Sequence, residues 1–239
     1  LNPANGELVR TYPEMDVAEV DRILDAAVAA QRRWARASFA ERAAPMRKVA
    51  VLLRERAAEY AKLMALEMGK PLKDGAAEVT KCGWVCEYYA ETAERHLAPR
   101  EEPSDAGRSY VRFDPLGVVL AVMPWNFPFW QVFRFIGPHL MAGNVGLLKH
   151  ASNVPQCALA IEQVMHDAGF PRDWAYAPSF LRTCDVAFTA LNMRVIVEAS
   201  YENLPWAEDD NRMYRQREHQ AERGEMLELA LRARDKFNV

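Results

Sequence analysis

The N-terminal part of the chain repeats apolar side chains every three or four positions, as the buried face of an α-helix does. This repeat runs through residues 16–34, 38–69 and 74–96. Ahead of it, residues 8–12 predict a short strand that follows turn-forming residues. The pattern therefore predicts a layer of amphipathic helices at the start of the fold.

The ends of these helices carry signals of their own. Asp16 and Ser38 are predicted N-caps, each with a glutamate three residues later, and Gly69 is a predicted helix stop. Pro45 interrupts the second helical pattern, so we expect a break or kink there. The polar residues 99–107 predict a linker after the third helix.

A different pattern begins after that linker. Residues 110–113 alternate like a half-buried strand, whereas 117–123 and 144–149 are almost continuously apolar, which is typical of strands buried on both faces. Helical spacing returns at 129–141 and at 155–168. Strand, helix, strand and helix in this order predict a parallel sheet covered by helices.

The C-terminal part of the chain is less regular. Short strands are predicted at 185–190 and 193–199, and the charged residues 208–236 predict a solvated helix or a poorly ordered tail. The expected fold class is α/β, with a helical N-terminal layer packed on a partial Rossmann-like parallel sheet and a divergent, charged, helical C-terminal segment. We place the domain boundary between residues 1–171 and 172–239.

Composition and charge narrow the range of partners. The chain has 239 residues, a net charge of −3 and no basic run, so nucleic acid is not expected as a partner. Its longest apolar run, 117–123, is far shorter than the roughly 20 residues of a membrane-spanning helix, so no membrane partner is expected. The chain begins with Leu rather than Met, and we expect that the start of the natural protein is missing.

Cysteine and histidine usage points to a cytoplasmic protein without a metal site. The four cysteines form no CxxC motif, which favours reduced thiols, and the five histidines show no HxxxH spacing. Cys82, Cys86 and Cys157 fall on predicted helices with no activating base nearby in the sequence. We therefore expect these three to be buried structural thiols rather than nucleophiles.

The first candidate for chemistry is the turn directly after the first apolar strand. Its residues are Met123, Pro124, Trp125, Asn126, Phe127 and Pro128. Parallel α/β sheets bind ligands outside the carboxyl ends of their strands, where the primary amide of Asn126 could stabilise an oxyanion. The alternative, from the residues alone, is a structural turn fixed by its prolines.

The second candidate follows the second apolar strand. Lys149 ends that strand and could reach ribose hydroxyls or a phosphate, and Ser152 offers a small hydroxyl three residues later. The alternatives are a surface lysine at a strand end and a serine that caps the following helix.

Six short motifs occur along the chain in a fixed order. They are NPANGE at 2–7, EMGKPL at 67–72, PLGVV at 115–119, PWNFP at 124–128, AGN at 142–144 with Lys149, and AGFP at 168–171. In wording, order and spacing they resemble the aldehyde dehydrogenase superfamily. The resemblance extends from residue 2 to about residue 171 and covers the N-terminal, cofactor-binding part of that family.

The resemblance implies roles for both candidates. Asn126 would donate to the oxyanion of the thiohemiacetal, and Met123, Pro124 and Trp125 would line the nicotinamide side together with it. Lys149 would bind the adenosine ribose. Members that prefer NAD often carry Glu where this chain has Ser152, so the resemblance implies NADP or dual use over strict NAD.

The same resemblance implies a substrate. Arg134 follows Asn126 by eight residues on the next predicted helix, among the apolar residues Phe127, Phe129, Trp130 and Phe133. A guanidinium there suits a carboxylate-bearing aldehyde, because it can bind both oxygens. We assign Arg134, Phe127 and Trp130 to substrate binding, as in the succinate-semialdehyde dehydrogenases that the sequence is most similar to. The alternative is an Arg134 paired with a structural acidic residue.

The resemblance ends before the part of the family that performs the chemistry. Neither the general-base Glu nor the nucleophilic Cys is recognised after residue 171, so we expect no independent turnover. A frameshift, a fusion or a broken gene would each give this pattern. The alternatives in function are a non-catalytic cofactor-binding or interaction module and a non-functional truncated product. Intact members act on small aldehydes and form homo-oligomers, which for this chain is left open.

Overall fold

The computed structural model describes residues 1–13 and 15–170. The chain divides into two units, Leu1–Phe180 and Leu181–Val239, and all described residues belong to the first. The elements predicted after residue 171, and Cys184 with them, lie outside the described residues. The domain boundary at 171 stays a prediction.

Four helices form the N-terminal layer, where the apolar periodicity predicted three, because the stretch at 38–69 is divided into two helices. They are α1 (Val17–Trp34), α2 (Phe39–Glu55), α3 (Ala57–Met68) and α4 (Leu72–His96). The predicted caps form. The Asp16 carboxylate accepts from the Glu19 N–H at 2.8 Å, and Ser38 exchanges both bonds of a capping box with Glu41. Gly69 ends α3 with a φ of 74°, a left-handed conformation that glycine adopts without strain.

Of the break or kink predicted at Pro45, the break is wrong, because α2 continues through this residue to Glu55, and the kink stays a prediction. The helix instead ends at Arg56, whose φ and ψ of −101° and 11° separate α2 from α3. A proline inside a helix removes one backbone hydrogen bond. Burial of the neighbouring Met46 and Val49 against the core offsets that loss.

The second part of the described chain is a βαβα unit. It consists of β3 (Val118–Met123), α5 (Trp130–Met141), β4 (Val145–His150) and α6 (Pro155–Asp167), preceded by a two-residue antiparallel pair of β1 (Arg100–Glu101) with β2 (Tyr110–Val111). Strands β3 and β4 are parallel, in register from Val118↔Val145 to Met123↔His150. The predicted helical layer and parallel sheet are thus confirmed.

Three strand predictions need correction. Residues 8–12 form no strand, since the described residues place no neighbouring strand there to supply hydrogen bonds. The predicted linker contains β1, and the predicted strand at 110–113 is only β2, which is exposed rather than half-buried. Strand β3 is not buried on both faces, because Ala121 alone is buried and Val122 is 47% exposed. Within the described residues β3 pairs only with β4, so much of it stays uncovered.

The hydrophobic core lies between the helical layer and the βαβα unit. The indole N–H of Trp34 on α1 donates to the carbonyl of Leu140 on α5 at 2.8 Å. Helices α4 and α5 approach closely where Gly137 faces the ring of Tyr89, which a Cβ on Gly137 would meet at 3.0 Å. The largest fully buried side chains include Phe129, Phe133, Met46, Leu53 and Met64. Helix α5 is therefore fixed from both sides, and with it the turn that precedes it.

Candidate functional site

The two predicted site segments leave the sheet at the same edge. Val122 is paired with Lys149 and Met123 with His150 in the parallel register, so residues 124–128 and 151–154 follow directly at the carboxyl ends of neighbouring strands. This is where open α/β sheets bind ligands. The register thus brings the Asn126 turn and the Lys149 segment together.

The turn itself is open to solvent. Pro124 and Asn126 are exposed, and Trp125 and Phe127 are 50% and 45% exposed. The backbone of the turn is held in place by a hydrogen bond, because the carbonyl oxygen of Asn126 accepts from Nζ of Lys70 at 2.9 Å. The side chain of Asn126 is therefore accessible to solvent, whereas the backbone of the same residue is held in place by a hydrogen bond.

Lys70 reaches this turn from the junction between α3 and α4. Its ammonium forms an ion pair with the carboxylate of Glu78 on α4 and lies 3.9 Å from the centroid of the Phe127 ring. The side chains of Lys70 and Glu78 are 8% and 2% exposed, so the pair is withdrawn from water. Such a pair keeps its electrostatic interaction largely unscreened.

Glu78 also binds the far end of the turn. Its Oε1 accepts from the backbone N–H groups of Phe129 and Trp130, both at 2.9 Å. Helix α5 begins at Trp130 and receives no side-chain cap from its own N-cap residue, Phe129. The Glu78 carboxylate supplies that cap from another helix, and its negative charge suits the N-terminal end of the helix dipole.

His150 holds the turn from the neighbouring strand. Its Nε2 lies 2.8 Å from the carbonyl oxygen of Pro128, and its Nδ1 accepts from the N–H of Ala151 at 2.8 Å. These two partners place the single proton of a neutral imidazole on Nε2. Burial lowers the pKa of His150 below its ordinary value, which favours that neutral form.

Lys149 and Ser152 lie at and just after the carboxyl end of β4, the strand next to β3. Lys149 is half-buried at the end of β4, whereas Ser152 is exposed in the turn before α6. Ser152 lines a cavity of about 270 Å³ with Glu67, Asn153 and Gln156. The ammonium, hydroxyl and amide donors here match what ribose hydroxyls and a phosphate require as partners.

Ser152 does not cap α6. Helix α6 receives no side-chain bond from its N-cap residue Val154. Instead the carboxylate of Glu67 on α3 accepts from the N–H groups of Gln156 and Cys157, at 2.7 and 2.9 Å. Burial is the largest influence on Glu67 and raises the pKa of its carboxyl. The hydroxyl of Ser152 is therefore available to a ligand.

Arg134 lies on the exposed face of α5 and forms no ion pair with the described residues. Two of the apolar residues predicted around it, Phe129 and Phe133, are fully buried in the core. Trp130 is half-buried, with Nζ of Lys81 located 3.8 Å from its ring centroid. All three predicted substrate-binding residues are at least partly exposed to solvent, so a ligand could reach Arg134, Phe127 and Trp130.

The three described cysteines are buried, as expected. Cys82, Cys86 and Cys157 are buried, and burial raises the pKa of each thiol. A thiol in such surroundings stays protonated and is a poor nucleophile. Residues 1–13 and 15–170 contain no group of His, Cys, Asp and Glu that could hold a metal ion. No helix in the same residues has the length and apolarity to cross a membrane.

The residues that hold the turn were not predicted from the sequence. Lys70 belongs to the EMGKPL motif, which supported the resemblance without suggesting a role. Glu78 gave a weak signal, since it is a carboxylate on the apolar face of α4, beside the buried Val79 and Cys82. His150 gave none, because its partner Pro128 is 22 positions away.

Comparison with known proteins assigns the described part of the chain to a family. A profile described as "Aldehyde dehydrogenase family" matches residues 1–175. The probable succinate-semialdehyde dehydrogenase, NADP(+)-dependent by its name, of Synechocystis sp. is 53% identical over 171 residues. That match covers 72% of this chain and 38% of the relative. The chain therefore spans well under half of the length of this relative.

Solved structures give the same result. The structure described as giving insights into cofactor and substrate selection by Gox0499 superimposes with a TM-score of 0.75 at 40% identity, covering 78% of this chain and 41% of that chain. Succinic semialdehyde dehydrogenase from Streptococcus pyogenes, in complex with NADP+ as the cofactor, gives 0.72 at 31% identity, covering 76% and 40%. The helical layer and the parallel strands are thus those of enzymes with this fold.

Proposed function

The chain belongs to the aldehyde dehydrogenase family, and from this premise we propose that it carries the cofactor-binding and oxyanion-binding part of an NADP-dependent succinate-semialdehyde dehydrogenase. The observation that supports this most is the parallel register of β3 and β4. It places the Asn126 turn and the Lys149 segment side by side at the carboxyl edge of the sheet. A cytoplasmic location is part of the proposal, supported by the buried reduced thiols.

Asn126 is the proposed oxyanion donor. Its side chain is exposed on a turn whose backbone is held by Lys70, so the amide N–H can face the oxygen of an aldehyde that approaches this surface. A fixed donor is effective because it needs no reorganisation as charge develops on that oxygen. Met123, Pro124 and Trp125 would form the adjoining wall on the nicotinamide side, where bound NADP+ would accept a hydride.

Lys149 and Ser152 are the proposed residues for the adenosine ribose and its 2′-phosphate. Lys149 supplies a positive charge at the end of β4, and the hydroxyl of Ser152 faces a cavity without a bond to the described residues. Among the described residues that line this cavity, Glu67 has the one carboxylate, which is engaged by the N-terminus of α6. A phosphate therefore meets donors here, which supports NADP over strict NAD as the cofactor.

Arg134 is the proposed partner of the substrate's carboxylate. Its guanidinium is exposed, and no acidic side chain of the described residues pairs with it, which argues against the alternative of a structural ion pair. A planar guanidinium can bind both oxygens of succinate semialdehyde. Phe127 and Trp130 would contact the aliphatic part of this substrate.

Turnover by the chain alone is not part of the proposal. Family chemistry needs an activated thiol, and Cys82, Cys86 and Cys157 are buried with raised pKa values. A non-catalytic cofactor-binding module is therefore the second candidate function. Both functions require the cofactor surface, and only the first requires the oxyanion donor Asn126 and the carboxylate partner Arg134.

Calorimetric titration of the full 239-residue chain with NADP+ and with NAD+ tests the proposal. We expect NADP+ to bind and Lys149→Met to weaken that binding, with Lys62→Met, an exposed lysine on α3, as the matched control. Absence of NADP+ binding by the chain would overturn the cofactor assignment. Formation of NADPH from succinate semialdehyde by the purified chain would overturn the absence of turnover.

A further inference from the structure

We propose that Lys70 and Glu78 are positioning residues, a buried ion pair that fixes the backbone of the turn so that the side-chain amide of Asn126 stays in one orientation. The inference rests on the proposed role of Asn126 as oxyanion donor. Neither Lys70 nor Glu78 reaches the surface where a substrate would lie, since their side chains are 8% and 2% exposed. They would act on the reaction only through Asn126.

The contacts of the pair cover both ends of the turn. Lys70 donates to the carbonyl of Asn126 at 2.9 Å and lies against the Phe127 ring. Glu78 accepts from the N–H groups of Phe129 and Trp130 at 2.9 Å. Because the ion pair joins Lys70 to Glu78, the two ends cannot shift independently of each other.

A hydrogen bond to the carbonyl of Asn126 restricts the backbone from which the Asn126 side chain projects. Fixing this oxygen fixes the peptide plane between Asn126 and Phe127, and thereby one of the two backbone torsions from which the side chain projects. The donor is a charged ammonium, and charge-assisted hydrogen bonds are stronger and shorter than neutral ones. The hydrogen bond from Lys70 thus restricts the orientation of the exposed Asn126 side chain.

A role in stability alone does not explain this arrangement. Buried ion pairs contribute little net stability compared with apolar residues of similar size, because removing both charges from water is costly. A helix cap for α5 needs the Glu78 carboxylate and not Lys70. The bond from Lys70 to Asn126 is the part that capping leaves unexplained, and positioning accounts for it.

Nuclear magnetic resonance of the full chain can observe this bond directly. Asn126 and Phe127 form the only Asn–Phe pair in the sequence, so labelling Asn carbonyls with 13C and Phe amides with 15N gives a single correlation. Labelling Asn with 15N adds the side-chain amide, which Asn126→Ala identifies by its loss. Lys70→Met is the test, and Lys73→Met, an exposed lysine three residues later on α4, is the matched control.

In Lys70→Met we expect the Asn126 carbonyl signal to move to lower frequency, as on loss of a hydrogen bond, and the two side-chain amide protons to converge towards the positions of a mobile asparagine. Lys73→Met should change neither. Unchanged Asn126 signals in a folded Lys70→Met would overturn the proposal. Loss of thermal stability alone would not produce these local shifts.

Glu78→Gln decides the question if Lys70→Met does not fold. It keeps an oxygen for the N–H groups of Phe129 and Trp130 but removes the charge that holds Lys70, so the Asn126 signals should move in the same direction by a smaller amount. Unchanged signals would again overturn the proposal, as would failure of both variants to fold, which would make the pair a determinant of stability. NADP+ binding by the wild-type chain is measured in a separate calorimetric titration. The proposed function and this inference can therefore fail independently of each other.

Discussion

Glu67 and Lys70, three positions apart, reach two different parts of the candidate site. The Glu67 carboxylate accepts from two N–H groups at the start of α6, and the Lys70 ammonium binds the carbonyl of Asn126 in the turn before α5. The EMGKPL motif, at residues 67–72, therefore fixes the backbone behind both the proposed cofactor segment and the proposed oxyanion turn. This gives the motif a physical function, although none of its own side chains is assigned to ligand binding.

The first prediction concerns the cap on α6. Glu67→Ala should lower the free energy of unfolding by about 1–3 kcal/mol, since it removes the acceptor of the part-buried Gln156 N–H and of the buried Cys157 N–H. Urea denaturation followed by circular dichroism measures the change. Glu59→Ala, an exposed glutamate on the same helix, should change the free energy by less than about 0.5 kcal/mol. Equal losses in the two variants would contradict the capping role.

The second prediction concerns pH. Burial lowers the pKa of His150 in the folded chain, whereas in the unfolded chain a histidine titrates near 6.5. Below about pH 6.5 the unfolded state therefore binds more protons, and the contribution of His150 to stability, which is complete above that pH, falls as pH falls. A single such group can contribute a slope of at most about 1.4 kcal/mol per pH unit.

His150→Gln should reduce this dependence. Free energies of unfolding at pH 7.5 and pH 5.5 are to be compared for the wild type and the variant, and the difference between the two pH values should be smaller in His150→Gln. Some dependence should remain, because burial also lowers the pKa of His139. The same pH dependence in both proteins would show that His150 is not held neutral by its burial.

Local signals were enough to predict the helix ends at Asp16, Ser38 and Gly69, but not the boundary between α2 and α3 at Arg56. The bonds at Asp16 and Ser38 link residues only three positions apart, so a reader of the sequence sees both partners at once. The parallel pairing of β3 with β4 followed from the order of strand and helix patterns. The partial exposure of β3 could not be predicted in this way, because an apolar run looks the same whether one or both faces of the strand are buried.

The residues that hold the turn, Lys70 and Glu78, could not be predicted from the sequence for a different reason. Lys70 and Asn126 are 56 positions apart, and Glu78 and Phe129 are 51 apart. Their proximity depends on how α4 packs against α5, which no local pattern encodes. The motifs identified the residues that would face a ligand, and only the packed structure shows the residues that hold them.

The third prediction tests Asn126 in an enzyme that turns over. Residues 1–170 of this chain, joined to the remainder of the Synechocystis relative, give a chimera in which Asn126→Ala should lower kcat by about 10²- to 10³-fold, the usual effect of losing one oxyanion donor. Steady-state kinetics with succinate semialdehyde measures it. An unchanged kcat would remove Asn126 from the oxyanion role. Asn5→Ala, in the exposed N-terminal turn and away from the candidate site, controls for loss of a surface amide.

The fourth prediction separates binding of the substrate's carboxylate from chemistry. In the same chimera, Arg134→Ala should raise KM for succinate semialdehyde by about 10- to 100-fold, since it removes a charge-assisted contact of roughly 1.5–3 kcal/mol. It should leave KM for an uncharged aldehyde of similar length nearly unchanged. Equal increases in KM for the two substrates would show that Arg134 does not bind the carboxylate.

The fifth prediction is that Ser152 sets the tolerance for a 2′-phosphate. The 2′-phosphate of NADP+ carries a charge approaching −2, and a carboxylate at this position would lie close to it in a partly buried cavity. Ser152 carries no charge and does not cap α6, so its hydroxyl can donate to the phosphate. Lys149, three residues earlier, supplies the positive charge.

Ser152→Glu should therefore weaken NADP+ binding by about 10- to 100-fold, as expected for repulsion of a few kcal/mol between nearby like charges, and weaken NAD+ binding much less. Titration calorimetry of the full chain with each cofactor measures both dissociation constants. Ser152→Ala separates the two contributions, because it removes the hydroxyl without adding charge and should weaken NADP+ binding only several-fold. If Ser152→Glu lowers stability and leaves the ratio of the two dissociation constants unchanged, Ser152 does not face the 2′ position. If both variants weaken NADP+ equally, the hydrogen bond, and not the absence of repulsion, determines the preference.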